Sequence, residues 1–594
     1  MALRRLLRHA RRPAAPLLVL AVVGAACTGG PPGPPEGSRS VGAMAEELGA
    51  DVVEQLRRGF APAMSPDVAY IPRPYSVVVR FSGEGLGTLD ADPRSSHSTP
   101  WDYHQRVPIM LYGPGFVREG QTVDRPVDVT DIAATLAELT GSGFTAPDGE
   151  VLEEALLPEG DRNGRPRAIA VVAYDGGGWN LLEQWPDAWP VQRRLSAAGT
   201  TYLNATIGSA PSVTTAIHAN MGTGAYPEHH GLSEINGRLP DGRIGETFLD
   251  ESDPQLIRLP TFADVFDLEH DNEPWVGILA YESWHLGMMS HGTQTETIDL
   301  PGEPDRDLGV IWEPGEEGDA SLGHFTIRED LYELPGGLPG DPELEERLRE
   351  QDADDGQIDG AWRGWDLEDP LVVPALPAFV RHQQDALTRL LEQAPLGEDD
   401  LTDLLFVELK PTDFAGHLWN MVADEEEPVL RAQDDLLADL VDRLEQVAGP
   451  DGYVLIVTAD HGQSPLPESS GGLRIHPDVL KRRVEEYFGE PIVAKVTPSG
   501  LFLDRELAAD LEITDATVAR FVGSLRYRDV LPQDTDLEAI PEETLDERVF
   551  AAALPHSYLD RLSPEDAAAL GEGLYPEGDL RGAGPTGRFA GLLG

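Results

Sequence analysis

An aspartate and a histidine stand side by side at Asp460-His461, directly after the apolar run Tyr453 to Val457 and before Gly462. A β-branched run bounded by glycines predicts a buried strand. A carboxylate and an imidazole at its C-terminal end would lie at the lip of an open α/β sheet, where ligands bind, and zinc accepts both donor types. Two further strand ends repeat the theme. Ala168 to Ala173 leads into Tyr174-Asp175-Gly176-Gly177-Gly178, and Leu404 to Leu409 leads into Pro411-Thr412-Asp413-Phe414-Ala415-Gly416-His417. Asp413 and His417 lie four apart, so one helical turn puts both donors on one face. A hydroxyl block, Ser212-Val213-Thr214-Thr215-Ala216-Ile217-His218, completes the set. A threonine at a helix start is a common cap. It is also a nucleophile that free N–H groups, the helix dipole and a nearby metal can activate.

These residues need a scaffold that brings several strand ends to one edge. Strands alternate with helices from 167 to 485, which predicts an α/β fold: a doubly wound, mixed but mostly parallel sheet sandwiched by helices. Glu425 to Val447 is an amphipathic helix with Val429, Leu436, Leu437, Leu440, Val441 and Leu444 on one face, running straight into the Asp460 strand. Residues 299–370, acidic and rich in Gly and Pro, are expected to form a surface insertion. Residues 67–145 form a folded segment, 146–166 a polar linker, and 486–594 a smaller cap-like region.

Composition narrows the function classes. The net charge is −59, and lysine occurs only at 410, 481 and 495. Such a surface repels nucleic acid, so no polynucleotide partner is expected. Five arginines (Arg4, Arg5, Arg8, Arg11, Arg12) precede an apolar run from Ala14 to Ala26 that is short for a membrane span. Residues 1–27 thus have the form of a signal peptide. The single cysteine, Cys27, permits no intrachain disulfide and leaves oxygen and nitrogen as the metal donors. Its position after Gly24-Ala25-Ala26 resembles a bacterial lipoprotein signal. The resemblance implies an exported protein anchored at the cell surface through lipidated Cys27, its only membrane contact, with residues 28–66 as a flexible tether. Composition says nothing of oligomeric state.

Taken in order, the Asp-Gly strand end, the block from Thr214 to Gly231, Asp-x-x-Gly-His and Thr-Ala-Asp-His-Gly resemble the alkaline phosphatase superfamily, nearest its type I phosphodiesterase/nucleotide pyrophosphatase branch. The resemblance implies two divalent metal ions, taken as zinc. Asp175, Asp460 and His461 would hold one beside the nucleophile Thr214, preferred to Thr215 because the family's nucleophile lies four residues before the histidine matched by His218. Asp413 and His417 would hold the other. Asn236 resembles the asparagine that hydrogen-bonds a phosphoryl oxygen, one residue later than usual.

The second metal lacks a third ligand, which the family supplies from downstream. His476 and His556 lie there, but neither has the expected surroundings, and both read as ordinary polar residues. Ser95-Ser96-His97-Ser98-Thr99-Pro100 followed by Val107-Pro108-Ile109-Met110-Leu111-Tyr112-Gly113 instead resembles the family's C-terminal block. The chain is therefore expected to be circularly permuted, with His97 as the missing ligand and close to His417. The family's monoesterases place Lys and Arg over the phosphate, yet Gly277 to Gly292 contains neither. The expectation is an extracytoplasmic hydrolase of small phosphodiesters or nucleotide pyrophosphates, with Trp284, His285 and His291 as candidate pocket residues. A phosphomonoesterase is the alternative, and a catalytically silent, surface-anchored binding protein is the alternative of another class.

Overall fold

The computed structural model describes residues 32–33, 35, 37–79, 95–247, 256–281, 285, 290–291, 307–315, 321–328, 331–531 and 540–575. The leader with Cys27, and Trp284, lie outside them. Three strands form the heart of the main sheet, and every one of their residues is buried: Ala168–Tyr174, Asp403–Leu409 and Tyr453–Ala459. Strands hidden on both faces read as near-continuous apolar runs, as these do apart from Asp403, Glu408 and Thr458.

In chain order the main-sheet strands are β2 (Ile109–Tyr112), β3 (Gln121–Val123), β4 (Ala168–Tyr174), β5 (Thr200–Tyr202), β6 (Val276–Ala280), β7 (Gly309–Pro314), β8 (Gly323–Thr326), β9 (Asp403–Leu409) and β10 (Tyr453–Ala459). Another strand, β1 (Val68–Pro72), precedes them and joins a second sheet. The spatial order is β8-β7-β6-β9-β4-β10-β2-β5-β3. β9 and β10 both run parallel to β4, and β2 lies antiparallel to β10. Alternate residues of β4 feed opposite cores: Ala170, Val172 and Tyr174 enter one, Ile169, Val171 and Ala173 the other. Helices α3 (Asp131–Thr140), α4 (Thr214–Thr223) and α5 (Phe262–Glu269) contribute to the second core, α6 (Pro377–Gln393) and α8 (Glu426–Ala448) to the first. A short helix, α7 (Pro411–Leu418), follows β9 directly. The helix over 425–447 is present as α8, with Leu436, Leu437, Leu440 and Leu444 buried. Each such side chain contributes about 1.5–3 kcal/mol through burial.

Two expectations need correction. The tether over 28–66 is helical from Val41: α1 (Val41–Leu48) and α2 (Ala50–Arg58) bury Met44, Ala45, Leu48, Val53 and Leu56 against the C-terminal strand. Ser40 caps α1 through Ala43 N at 3.1 Å. Gly49 separates the helices at φ 87°, where a Cβ would meet Gly573 N at 2.4 Å. The apolar spacing was short, and the Gly- and Pro-rich stretch before it obscured it. The insertion over 299–370 is not wholly superficial either. Its apolar segment Gly309 to Trp312 supplies β7, parallel to β6, and β8 closes that edge. Acidic flanks hid the two strands from a reading by composition.

The second sheet has the order β11-β12-β1-β13, with β11 (Val493–Val496), β12 (Gly500–Leu503) and β13 (Phe550–Pro555), all antiparallel. Its inner strand β1 comes from near the start of the described chain, so the region over 486–594 does not close its sheet alone. Glu234, from the loop before Asn236, reaches this sheet and accepts from Ser499 Oγ at 2.7 and 2.9 Å. Burial pushes its carboxyl from an ordinary 4.5 up to about 8, against the opposing Ser499 hydrogen bond. A raised folded-state value favours the protonated form, so the stability it contributes is complete below about 4.5 and lost as pH rises through about 8. Glu234→Gln should therefore gain stability on the wild type, by a few kcal/mol, between pH 5 and about 9. Chemical denaturation across that range checks this, and a pH-independent difference would contradict it.

Candidate active site

The register of the three central strands builds the site. Tyr174 pairs with Leu409 on one side and with Ala459 on the other, so the strands end at one level. The next residues in each, Asp175, Lys410 and Asp460, emerge side by side. Gly176 turns away at φ 70°, and its N–H donates to Asp460 Oδ1 at 3.0 Å. A Cβ there would meet Gln463 Nε2 at 2.4 Å, so the turn requires glycine. From β9 the chain enters α7 at once, which places Asp413 and His417 on one face with His417 Nε2 3.4 Å from Asp413 Oδ1.

His97 arrives from the other end of the chain. Its Nε2 lies 3.5 Å from Asp413 Oδ1, its ring is 5.1 Å from that of His417, and it stacks on His461 at 3.6 Å. The loop carrying it is stitched down: Ser98 N donates to Ser212 Oγ at 3.1 Å, Ser95 Oγ to Ser464 O at 2.6 Å, and His104 meets Ser464 Oγ at 2.7 Å. His476 and His556 serve elsewhere. The former caps the helix over 477–488, and the latter meets Pro62 O at 3.0 Å.

Three histidines share one arrangement. The Nδ1 of His97, His417 and His461 faces a backbone carbonyl (Ser212 at 2.6 Å, Ser95 at 2.7 Å, Gly462 at 3.0 Å) and donates to it. Each Nε2 lone pair is then left facing a carboxylate oxygen at 3.3–3.5 Å. Such an outer hydrogen bond fixes the tautomer of a metal-binding histidine. Asp175 Oδ1, Asp460 Oδ2 and His461 Nε2 are buried with no hydrogen-bond partner. Orphaned acceptors of this kind are costly in a protein interior. Asp175, Asp460 and His461 offer ligand atoms within 4.8 Å of one another, as do His97, Asp413 and His461. Each group could hold a metal ion, and His417, 3.4 Å from Asp413, lies beside the second.

Charge in the site is tightly coupled. Burial pushes Asp175 up, but Lys410 and the surrounding histidines hold it well below the usual carboxylate range. Burial and the neighbouring Asp175 and Asp413 push Asp460 well above it. Burial lowers His97 and His461, which favours the neutral, cation-binding form.

Thr214 is the first residue of α4 and 1% exposed, its Oγ1 3.4 Å from Lys410 Nζ. Thr215 Oγ1 is buried without a hydrogen-bond partner. Asn236 is placed differently: its Oδ1 accepts from Lys495 Nζ at 2.5 Å, and among the described residues its side chain makes no hydrogen bond to Thr214 or the clustered ligands. His285 lies 3.7 Å from both Asp175 and Glu408. His291 belongs to a separate buried cluster with Asp264, Asp267 and Asp307. Sequence reasoning passed over Lys410 and Glu408 as site residues, and used His218, 3.7 Å from Asp460, only to place Thr214. A lysine in a lysine-poor chain, three residues before Asp413 at a strand end, was the available signal for the first.

With these positions, His97→Ala should leave the first cation set intact and weaken the second by more than tenfold, since one of three protein donors is lost. Divalent metal bound per chain, measured by elemental analysis after dialysis against a weak chelator, should be lower in the variant than in the wild type. An unchanged metal content would contradict a ligand role for His97.

Residues 169–506, more than half of the chain, match the family model of type I phosphodiesterase / nucleotide pyrophosphatase. The alkaline phosphatase PafA of Elizabethkingia meningoseptica is 31% identical over 134 residues, 20% of this chain and 24% of that protein. The alkaline phosphatase PhoD of Zymomonas mobilis subsp. mobilis is 30% identical over 146 residues, 22% and 25% of the two chains. The chain thus spans about a quarter of the length of these relatives. The crystal structure of wild-type PafA covers 66% of this chain and 85% of its own, at 16% identity and a TM-score of 0.49. The chain belongs to the type I phosphodiesterase / nucleotide pyrophosphatase family.

Proposed function

We propose that this protein is a metal-dependent phosphoester hydrolase in which Thr214 is the nucleophile and the two donor sets hold two divalent cations, taken as zinc. The observation that carries the reading is the shared pose of His97, His417 and His461, each with Nδ1 committed to a carbonyl and Nε2 turned to a carboxylate. Cations bound there would supply Lewis-acid stabilisation of the attacking and leaving oxygens.

The chain's own groups do the rest. Thr214 sits in the first turn of α4, where unpaired N–H groups and the positive helix end stabilise negative charge on its oxygen. The bond from Thr214 Oγ to phosphorus forms as the ester bond breaks and the alcohol leaves with a proton. Water then cleaves the phosphothreonine and restores the hydroxyl. Burial of Thr214, Asp175 and Asp460 keeps bulk water out of the first step.

Small phosphodiesters or nucleotide pyrophosphates are the favoured substrates, because Gly277 to Gly292 carries no Lys or Arg to clamp a second phosphate charge. The second reading, a phosphomonoesterase, is favoured by the similarity to alkaline phosphatases and by the ammonium of Lys410 beside Thr214. We further propose that residues 67–145 stand in for the family's last strands, because β2 lies against β10 and the preceding loop delivers His97. The leader implies export and anchoring through Cys27. No helix among the described residues is long and apolar enough to cross a membrane.

Turnover of bis-p-nitrophenyl phosphate and p-nitrophenyl phosphate by the zinc-loaded protein separates the two substrate readings. Thr214→Ala should lower kcat on the better substrate by at least about a thousandfold, as loss of an essential nucleophile does, while still binding two zinc ions. Full activity in this variant would refute the nucleophile, and absence of turnover in the zinc-loaded wild type would favour a binding protein.

A further inference from the structure

Lys410 lies between β9 and α7 and is 5% exposed. Its Nζ is 2.7 Å from Asp175 Oδ2, 2.8 Å from Asp413 Oδ2 and 3.4 Å from Thr214 Oγ1. Each of the two aspartates is therefore divided. One oxygen is on Lys410, while the other, Oδ1, faces a histidine Nε2 at 3.4–3.5 Å. Among the described residues, Lys410 is the only lysine or arginine ion-paired with Asp175, Asp413 or Asp460.

This arrangement has two physical consequences. Three aspartates that are 0–2% exposed share one small volume, and without a cation their mutual repulsion and desolvation would be severe. A lysine tethered at a strand end supplies a permanent cation. A carboxylate can also rotate about its last bond, so a donor fixed on one oxygen determines where the other points. One ammonium holding both carboxylates sets the two cation sets relative to each other.

We propose that Lys410 is the resident counter-ion and positioning residue of this site: it keeps the cation-free pocket folded, aims Asp175 and Asp413 at the two cation sets, and presents positive charge to the Thr214 hydroxyl. The catalytic part rests on the two-cation reading above. The counter-ion part stands on this chain alone.

Lys410→Met preserves length and removes the charge. Thermal unfolding of the full-length variant in EDTA should start several degrees below the wild type. In saturating zinc chloride most of that deficit should vanish, so zinc raises Tm more in the variant than in the wild type. With zinc fully loaded, kcat on the better p-nitrophenyl ester should fall 10–100-fold with KM little changed, the size expected for a group that orients metal ligands. Adding Asp413→Asn removes one of the charges that Lys410 balances, so the double variant should unfold in EDTA at a higher temperature than Lys410→Met. If Lys410→Met alone yields no folded protein, recovery of folding in the double variant is the supporting result. Equal Tm of wild type and Lys410→Met in EDTA, a double variant no more stable than Lys410→Met, or an unchanged kcat at full zinc would each overturn the proposal. A wild type whose Tm does not respond to zinc would instead refute the two-cation reading and leave the EDTA comparison to judge the counter-ion.

Discussion

The in-register ending of three parallel strands governs everything at this site. Because Leu409, Tyr174 and Ala459 pair across β9, β4 and β10, the residues that follow them leave the sheet at one height. A slip of one residue in either pairing would turn the strand's side chains to the opposite face. It would also carry Asp175 or Asp460 away from the shared pocket. The two cores on either side of β4 hold that register, since alternate side chains are committed to opposite clusters. Packing far from the chemistry therefore sets distances within it.

Much of this was legible in the sequence because the central strands are buried on both faces. Their near-continuous apolar character marked where they lie, and the polar residues at their C-terminal ends marked the site. Asp175, Asp413, His417, Asp460 and His461 come together as their spacing suggested, and His97 joins them from a segment identified only by resemblance. What escaped was short or masked by composition. The helices over 41–58 offer two brief apolar stripes beside a Gly- and Pro-rich stretch. The edge strands β7 and β8 lie among acidic residues. Asn236 marks a different limit: a motif shifted by one residue leaves its side chain on Lys495, a contact to a second sheet that no local pattern encodes.

The electrostatics of this chain work in opposite directions on two scales. Over the whole sequence carboxylates are in large excess, and those that face water are solvated and screened. In the pocket a few carboxylates lie in low dielectric, where each charge must meet a specific partner. Histidines locked by their Nδ1 hydrogen bonds and a single ammonium answer that need without flexible surface groups.

The strand β1 has a consequence for how the chain reaches this state. It pairs with β12 through Val68 and Leu501 and with β13 through Val68 and Pro555, while β2, a short way along the chain, pairs with β10. β1 thus waits for β12 and β13, and β2 for β10, before each sheet is complete. Such long-range pairing raises contact order and slows folding. Completion of the pocket therefore depends on long-range pairing, because His97 must reach His461.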